Sequence, residues 1–219
     1  LYIVFDDVEL TVSQDGPWVM SLQGPKAAEV LTTAGLPVPG DGQHIRADEG
    51  VQVVSKDRSG MGGFDLIVKA DSTEPIWSRL REAGATPIGH QTLERLRIEH
   101  GRARWPIDGT DKSFVHELGI NEEVCNFNKG CYLGQEVINR VDVKGQVNRK
   151  ILKIKLDESP DDLLGATVLM DDSKIGTISS AAETTSGSVA LAVLRKKAWS
   201  DGCQVEISTS GGTYTGSVH

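Results

Sequence analysis

The stretch NKGCYLGQE, from Asn128 to Glu136, sets Cys131 two residues after Lys129 and between Gly130 and Tyr132, just ahead of a segment with helical spacing. A thiol so placed can serve in three ways: as a small apolar residue packed in a turn, as a metal ligand, or as a nucleophile. A helix opening at Leu133 or Gly134 would bring the sulfur near unpaired backbone N–H groups and the positive end of the helix dipole. Lys129 adds a positive charge, and both effects favour thiolate over thiol. Gly130 and Gly134 leave backbone accessible on either side.

Metal binding is the weakest of the three. Cys125 and Cys131 are spaced C-x5-C, whereas structural zinc sites usually combine a C-x2-4-C element with a second pair. His100 and His116 are the distant residues that would have to complete such a site, and His116-Glu117 does not extend to H-E-x-x-H because position 120 is Ile. An anionic ligand is a better match to the neighbourhood. Lys129 and Arg140 supply cations, and Gln135 offers both a donor and an acceptor to a planar polar group. Glu136 and Arg140, spaced i, i+4, suit an ordinary surface ion pair better than a ligand site. Asp65, within FDLIV, reads either as an outward polar residue of a strand or as a carboxylate for the N–H edge of a pteridine-like ring.

The elements that must position these residues follow from periodicity. Residues 2–12 and 18–22 read as strands, with a turn at Asp15-Gly16-Pro17 between them. QGPKAAEVLTTAG reads as a helix with Pro25 at its first position and Gly35 at its stop. Strands are expected over 51–55 and 64–69, joined by DRSGMGG, a glycine-rich turn that lets backbone come close to another group. Helices are expected over 74–83, closed by Gly84, over 91–100, closed by Gly101, and over 133–141. The irregular segment 101–130 contains Trp105, Phe114 and Phe127, which argue for a packed loop. From about residue 150 six short β-type runs follow at close spacing, separated by turn residues, the pattern of a small barrel or sandwich.

Composition bounds the rest. The chain has 219 residues, 38% of them apolar and 25% charged, which suits one large or two small globular domains. Its net charge of -8 argues against broad binding to nucleic-acid backbones. No run approaches the ~18 apolar residues of a membrane helix, and no signal peptide is visible. Three cysteines do not form a disulfide framework, so a reducing, cytoplasmic setting is the expectation. The chain opens on LYIVFDDVELTV with no initiator Met, which reads as the start of a fragment.

KGCYLGQE resembles the K-G-C-[FY]-x-G-Q-E signature of the YgfZ family of folate-binding proteins, relatives of the glycine cleavage aminomethyltransferase (T-protein). SLQGPKAAEVL, GMGGFDLIV, LERLRIEHGRARWPID and the β-rich tail agree in order, so the likeness covers nearly the whole chain. It implies an α+β fold: an aminomethyltransferase-like folate-binding region over residues 1–148, N-terminally incomplete, then a small C-terminal β-barrel over 149–219. It implies a tetrahydrofolate-binding accessory protein, or one that binds a one-carbon derivative. Such a protein would support iron–sulfur cluster assembly or repair, including for tRNA-modifying enzymes. Its partners would be iron–sulfur assembly factors or client enzymes, with no direct contact to nucleic acid or membrane.

By the same resemblance Cys131 is the functional residue and Lys129 its activator. Gly130, Tyr132, Gly134, Gln135 and Glu136 fill the remaining signature positions. Arg140 and Asp65 join Gln135 as candidate folate contacts. Family members carry a further N-terminal segment that completes the folate pocket; here it is expected to be missing or to arrive as a separate chain. The alternative is a folate-dependent aminomethyl or methyl transferase. Two departures lean away from it. Leu93 stands where aminomethyltransferases carry an arginine, and their N-terminal aspartate falls in the absent region.

Overall fold

The computed structural model describes residues 12, 16–47, 50–145 and 147–219. The strand expected over 2–12 lies outside the described residues except for Val12. The chain forms two compact units, one made of Leu1–Asp57 with Met61–Pro87 and the other of Arg58–Gly60 with Ile88–His219. The division at Pro87 falls well upstream of residue 148, where the sequence texture changes.

In the first unit four antiparallel strands, β1 (Trp18–Gln23), β2 (His44–Arg46), β3 (Gln52–Ser55) and β4 (Gly63–Val68), form a sheet in the order β1-β4-β3-β2. Helix α1 (Ala27–Thr33) turns Ala27, Val30 and Leu31 inward, the i, i+3, i+4 stripe of a one-sided helix. Helix α2 (Thr73–Glu82) buries Ile76 and Leu80, one turn apart. These side chains close over Val53, Leu66 and Val68 of the sheet. Each fully buried aliphatic contributes about 1.5–3 kcal/mol relative to exposure. Both helices stop where the sequence requires it. Gly35 and Gly84 adopt positive φ, and the amides of Leu36 and Ala85 return to the carbonyls of Leu31 and Leu80. Pro25 precedes α1 rather than opening it, since the helix starts at Ala27.

The second unit begins with α3 (His90–Glu99), followed by a long connection holding the short α4 (Asn121–Val124), and then α5 (Gln135–Lys144). Six strands complete it: β5 (Arg149–Leu156), β6 (Thr167–Met170), β7 (Ser173–Thr184), β8 (Gly187–Arg195), β9 (Gln204–Ser208) and β10 (Thr213–Val218). They close into a barrel of order β10-β5-β8-β7-β6-β9, so the barrel expected from the spacing of the β-runs is present. Ile154, Val168, Ile178, Leu194 and Ile207 fill its interior. The lumen is tight enough that a Cβ on Gly176 would meet the Val193 carbonyl oxygen at 2.7 Å. Strand β8 reads as a nearly continuous apolar run because both its faces are covered. Ala190, Ala192 and Leu194 point into the barrel, while Val189 and Leu191 lie outside beneath Ile98 of α3.

Candidate functional site

The cysteine turn is built from a small set of local interactions. The Asn126 side chain accepts the Asn128 amide at 2.9 Å, bending the chain into the segment. Gly134, at φ +88°, occupies the left-handed region at the start of α5, where any other residue would be strained. Tyr132 and Gln135 close the turn reciprocally: the Tyr132 amide donates to Gln135 Oε1 at 3.3 Å and the Gln135 amide to the Tyr132 carbonyl at 3.2 Å. The helix therefore opens one to two residues later than its sequence suggests and runs on to Lys144. Cys131 is exposed, whereas Cys125 and Cys203 are half-buried, and all three are free thiols. A Cβ on Gly130 or Gly134 would meet nothing within 4 Å, so the backbone on both sides of the thiol is open.

Lys129 does not point freely into solvent. Its ammonium lies 4.9 Å from the ring centroid of Tyr132, the residue after Cys131. This cation–π contact fixes a positive charge beside the turn. Gln135 has its amide oxygen engaged with Tyr132, which leaves its NH2 group for a ligand. Glu136 sits in the first turn of α5, where the helix dipole favours a carboxylate. Arg140 is exposed, and among the described residues it makes no ion pair with Glu136, so the i, i+4 pair expected from their spacing does not form.

Asp65 belongs to the other unit. It is buried at 7% exposure on β4, a central strand, opposite Ser21 of β1 and Val54 of β3. The outward placement usual for a strand carboxylate is thus wrong here. In the second unit Tyr132 Oη, Asn139 Oδ1 and both ring nitrogens of His116 are buried without hydrogen-bond partners. No group of three or more His, Cys, Asp or Glu side chains suited to a metal ion occurs among the described residues. Within the second unit Gly60 lies against the end of α3: a Cβ there would collide with His100, whose ring Nδ1 is 2.8 Å from the Leu96 carbonyl oxygen.

The residues that hold this unit in shape were not evident from the sequence. Arg97 is buried on α3, with Nη1 donating to Asp108 Oδ2 at 2.8 Å, Nη2 to Ser180 Oγ at 2.9 Å and Nε to Glu94 Oε2 at 2.9 Å. Asp108 also accepts from the Arg104 amide, Ser179 Oγ and Ser180 Oγ at 2.9, 2.5 and 2.7 Å. The network ties α3, the 101–108 loop and β7 together. Arg104 bonds Glu94 in turn. Burial raises the Glu94 carboxyl, but hydrogen bonds and charge from Arg97 and Arg104 outweigh it and hold the group below the ordinary value. Downstream, buried Glu117 takes Arg149 Nε at 3.0 Å and the Phe114 amide at 3.2 Å, anchoring the loop that leads towards the cysteine turn. The one sequence signal was an arginine at a core position of α3, in LERLRIE.

No family model matches the chain. It is 29% identical over 220 residues to a chloroplastic protein of Arabidopsis thaliana to which a transferase activity is provisionally ascribed, covering 94% of this chain and 49% of that one. It is 26% identical over 212 residues to an aminomethyltransferase of Herpetosiphon aurantiacus, covering 92% and 58% respectively. The crystal structure of the glycine cleavage system aminomethyltransferase T from Bartonella henselae superimposes with a TM-score of 0.75 at 21% identity, over 92% of this chain and 58% of that one. The chain thus has the aminomethyltransferase-like fold, with its C-terminal barrel, and its relatives fall in the glycine cleavage T-protein-like superfamily. It spans about half the length of the curated relatives it matches. No described helix is long and apolar enough to cross a membrane.

Proposed function

We propose that this chain is a folate-linked accessory protein of the YgfZ type, which supports iron–sulfur cluster assembly or repair through Cys131. The observation that carries the reading is the build of the turn. Its thiol is exposed, its backbone is open on both sides, and Lys129 is held over the ring of the next residue. A structural cysteine would be packed instead. The cytoplasm is the proposed setting, and cluster-assembly factors or iron–sulfur enzymes, tRNA-modifying ones among them, are the proposed partners.

The donor set fits a folate. Gln135 NH2 and exposed Arg140 offer donors to the carbonyl and carboxylate groups that such a ligand carries. The folate supplies the one-carbon unit or its acceptor. Cys131 provides a nucleophilic sulfur, and Lys129 keeps a cation over the ring of the residue that follows it. The relatives named as aminomethyltransferases favour a second reading, folate-dependent one-carbon transfer, in which Cys131 is dispensable.

Two measurements on the full chain separate the readings. Titration with tetrahydrofolate should show saturable binding that weakens on Arg140→Met; no binding removes the folate claim. Cys131→Ser should abolish support of a [4Fe–4S] client enzyme. Full support by that variant, together with turnover of an aminomethyl donor, would establish the transferase instead.

A further inference from the structure

The seating of α5 is unusual. No residue of the helix is fully buried, and Val137 and Val143 stand exposed on its outer side, with Leu133 exposed just before it. Its half-buried side carries Gln135, Ile138 and Asn139. The Oδ1 atom of Asn139 has no partner there. Against this side packs His116, whose side chain is 10% exposed, with Nε2 at 3.7 Å from Asp142 Oδ1 and neither ring nitrogen hydrogen-bonded. A neutral imidazole left this way gains nothing from its polar atoms, and buried unsatisfied groups carry a free-energy cost. A charged imidazolium beside a carboxylate gains a charge-assisted interaction. Few apolar contacts compete with that gain, because α5 has no deep anchor.

We propose that His116 and Asp142 form a proton-operated latch that sets how firmly α5, and with it the cysteine turn at its start, is held to the rest of its unit. Charged His116 pins the helix; neutral His116 releases it. Among the described residues Asp142 is the carboxylate within reach of the imidazole on α5. On the imidazole's own turn, neighbouring Glu117 is committed to Arg149 of β5, so it does not substitute for Asp142. His116 is a positioning residue in this scheme and touches no reacting atom. The latch itself stands on the contact alone; its meaning for function rests on the reading of Cys131 given above.

The test is amide hydrogen exchange across residues 135–144, at about pH 5.5 and about pH 8, on either side of the range in which histidines usually titrate. Corrected for intrinsic exchange, protection of α5 should be about fivefold higher at the acid end, the scale of a partly exposed ion pair. The difference should vanish in Asp142→Asn and in His116→Gln, both polar replacements that leave the packing in place. Equal protection at the two pH values, lower protection at the acid end, or a difference that survives Asp142→Asn would overturn the latch. Alkylation of Cys131 in the same samples separates the two proposals. A pH-dependent helix with an unreactive thiol upholds the latch and removes the functional reading.

Discussion

Removing the Asp108 carboxylate should be among the most damaging single changes in the second unit. Its oxygens accept from Arg97 Nη1, the Arg104 amide and two serine hydroxyls, all at 2.5–2.9 Å, and its side chain is fully enclosed. In Asp108→Ala, Arg97 stays buried with Glu94 as its remaining carboxylate, and four donors lose their acceptor. Breaking a buried ion pair from one side costs about 3–5 kcal/mol. For a domain of this size that corresponds to a fall in Tm of roughly 6–20 °C. Asp108→Asn should cost less, about 1.5–3 kcal/mol. Its oxygen can face the two obligate N–H donors while its NH2 meets serine hydroxyls that can rotate to accept. Arg97→Met in the Asp108→Ala background removes the stranded charge, so the double variant should be more stable than the sum of the singles by about 1–3 kcal/mol. Urea unfolding followed by far-UV circular dichroism reads the wild type, the three single variants and the double variant. An Asp108→Ala variant within about 0.5 kcal/mol of the wild type, the ordinary range of surface changes, would refute the reasoning.

Other expectations concern the turn, the acid limb and the barrel. Gly134→Ala meets no steric obstacle but forces an L side chain to φ +88°, so it should cost about 1–2 kcal/mol, seen as lowered protection of α5 in hydrogen exchange. Because the Glu94 carboxyl lies below its ordinary value of 4.5, its contribution to stability is complete above that pH and is lost as pH falls through the folded value. Glu94→Gln should therefore flatten the decline of stability below about pH 4.5, as measured by denaturant midpoints across that range. Gly176→Ala, driven against the Val193 carbonyl and Leu194, should destabilise the barrel by about 1–3 kcal/mol in thermal unfolding.

Much of the architecture was legible because its determinants are local. Helices α1, α2 and α3 follow apolar spacing and end at Gly35, Gly84 and Gly101, and the six barrel strands match the six β-runs between turn residues. Strand β2 was missed, since the three exposed residues His44, Ile45 and Arg46 carry no alternation and are strand only by pairing with β3. In the cysteine turn, sequence was enough to put a helix start within two residues of where it falls and to mark a glycine on each side of Cys131 with open backbone. It was not enough to show that Lys129 rests on Tyr132, or that Gln135 spends its oxygen on the Tyr132 amide, because both depend on side-chain geometry. The network around Arg97 was hidden for another reason. Its partners Asp108, Ser179 and Ser180 lie up to 83 residues away, and a buried arginine inside an amphipathic helix reads as a surface cation until the fold brings a carboxylate to it. Burial of Asp65 is likewise a property of a central strand rather than of the FDLIV pattern.

On the proposed reading Cys131 is a reachable nucleophile in a turn whose cation, Lys129, is held over the Tyr132 ring. This is tested most directly by the second-order rate of iodoacetamide alkylation at neutral pH, in a chain whose other two cysteines, Cys125 and Cys203, are replaced by serine. The rate should exceed that of glutathione under the same conditions and fall with Lys129→Met and again with Tyr132→Leu, which takes away the ring that holds the ammonium. A rate no faster than glutathione, unchanged by either substitution, would contradict it.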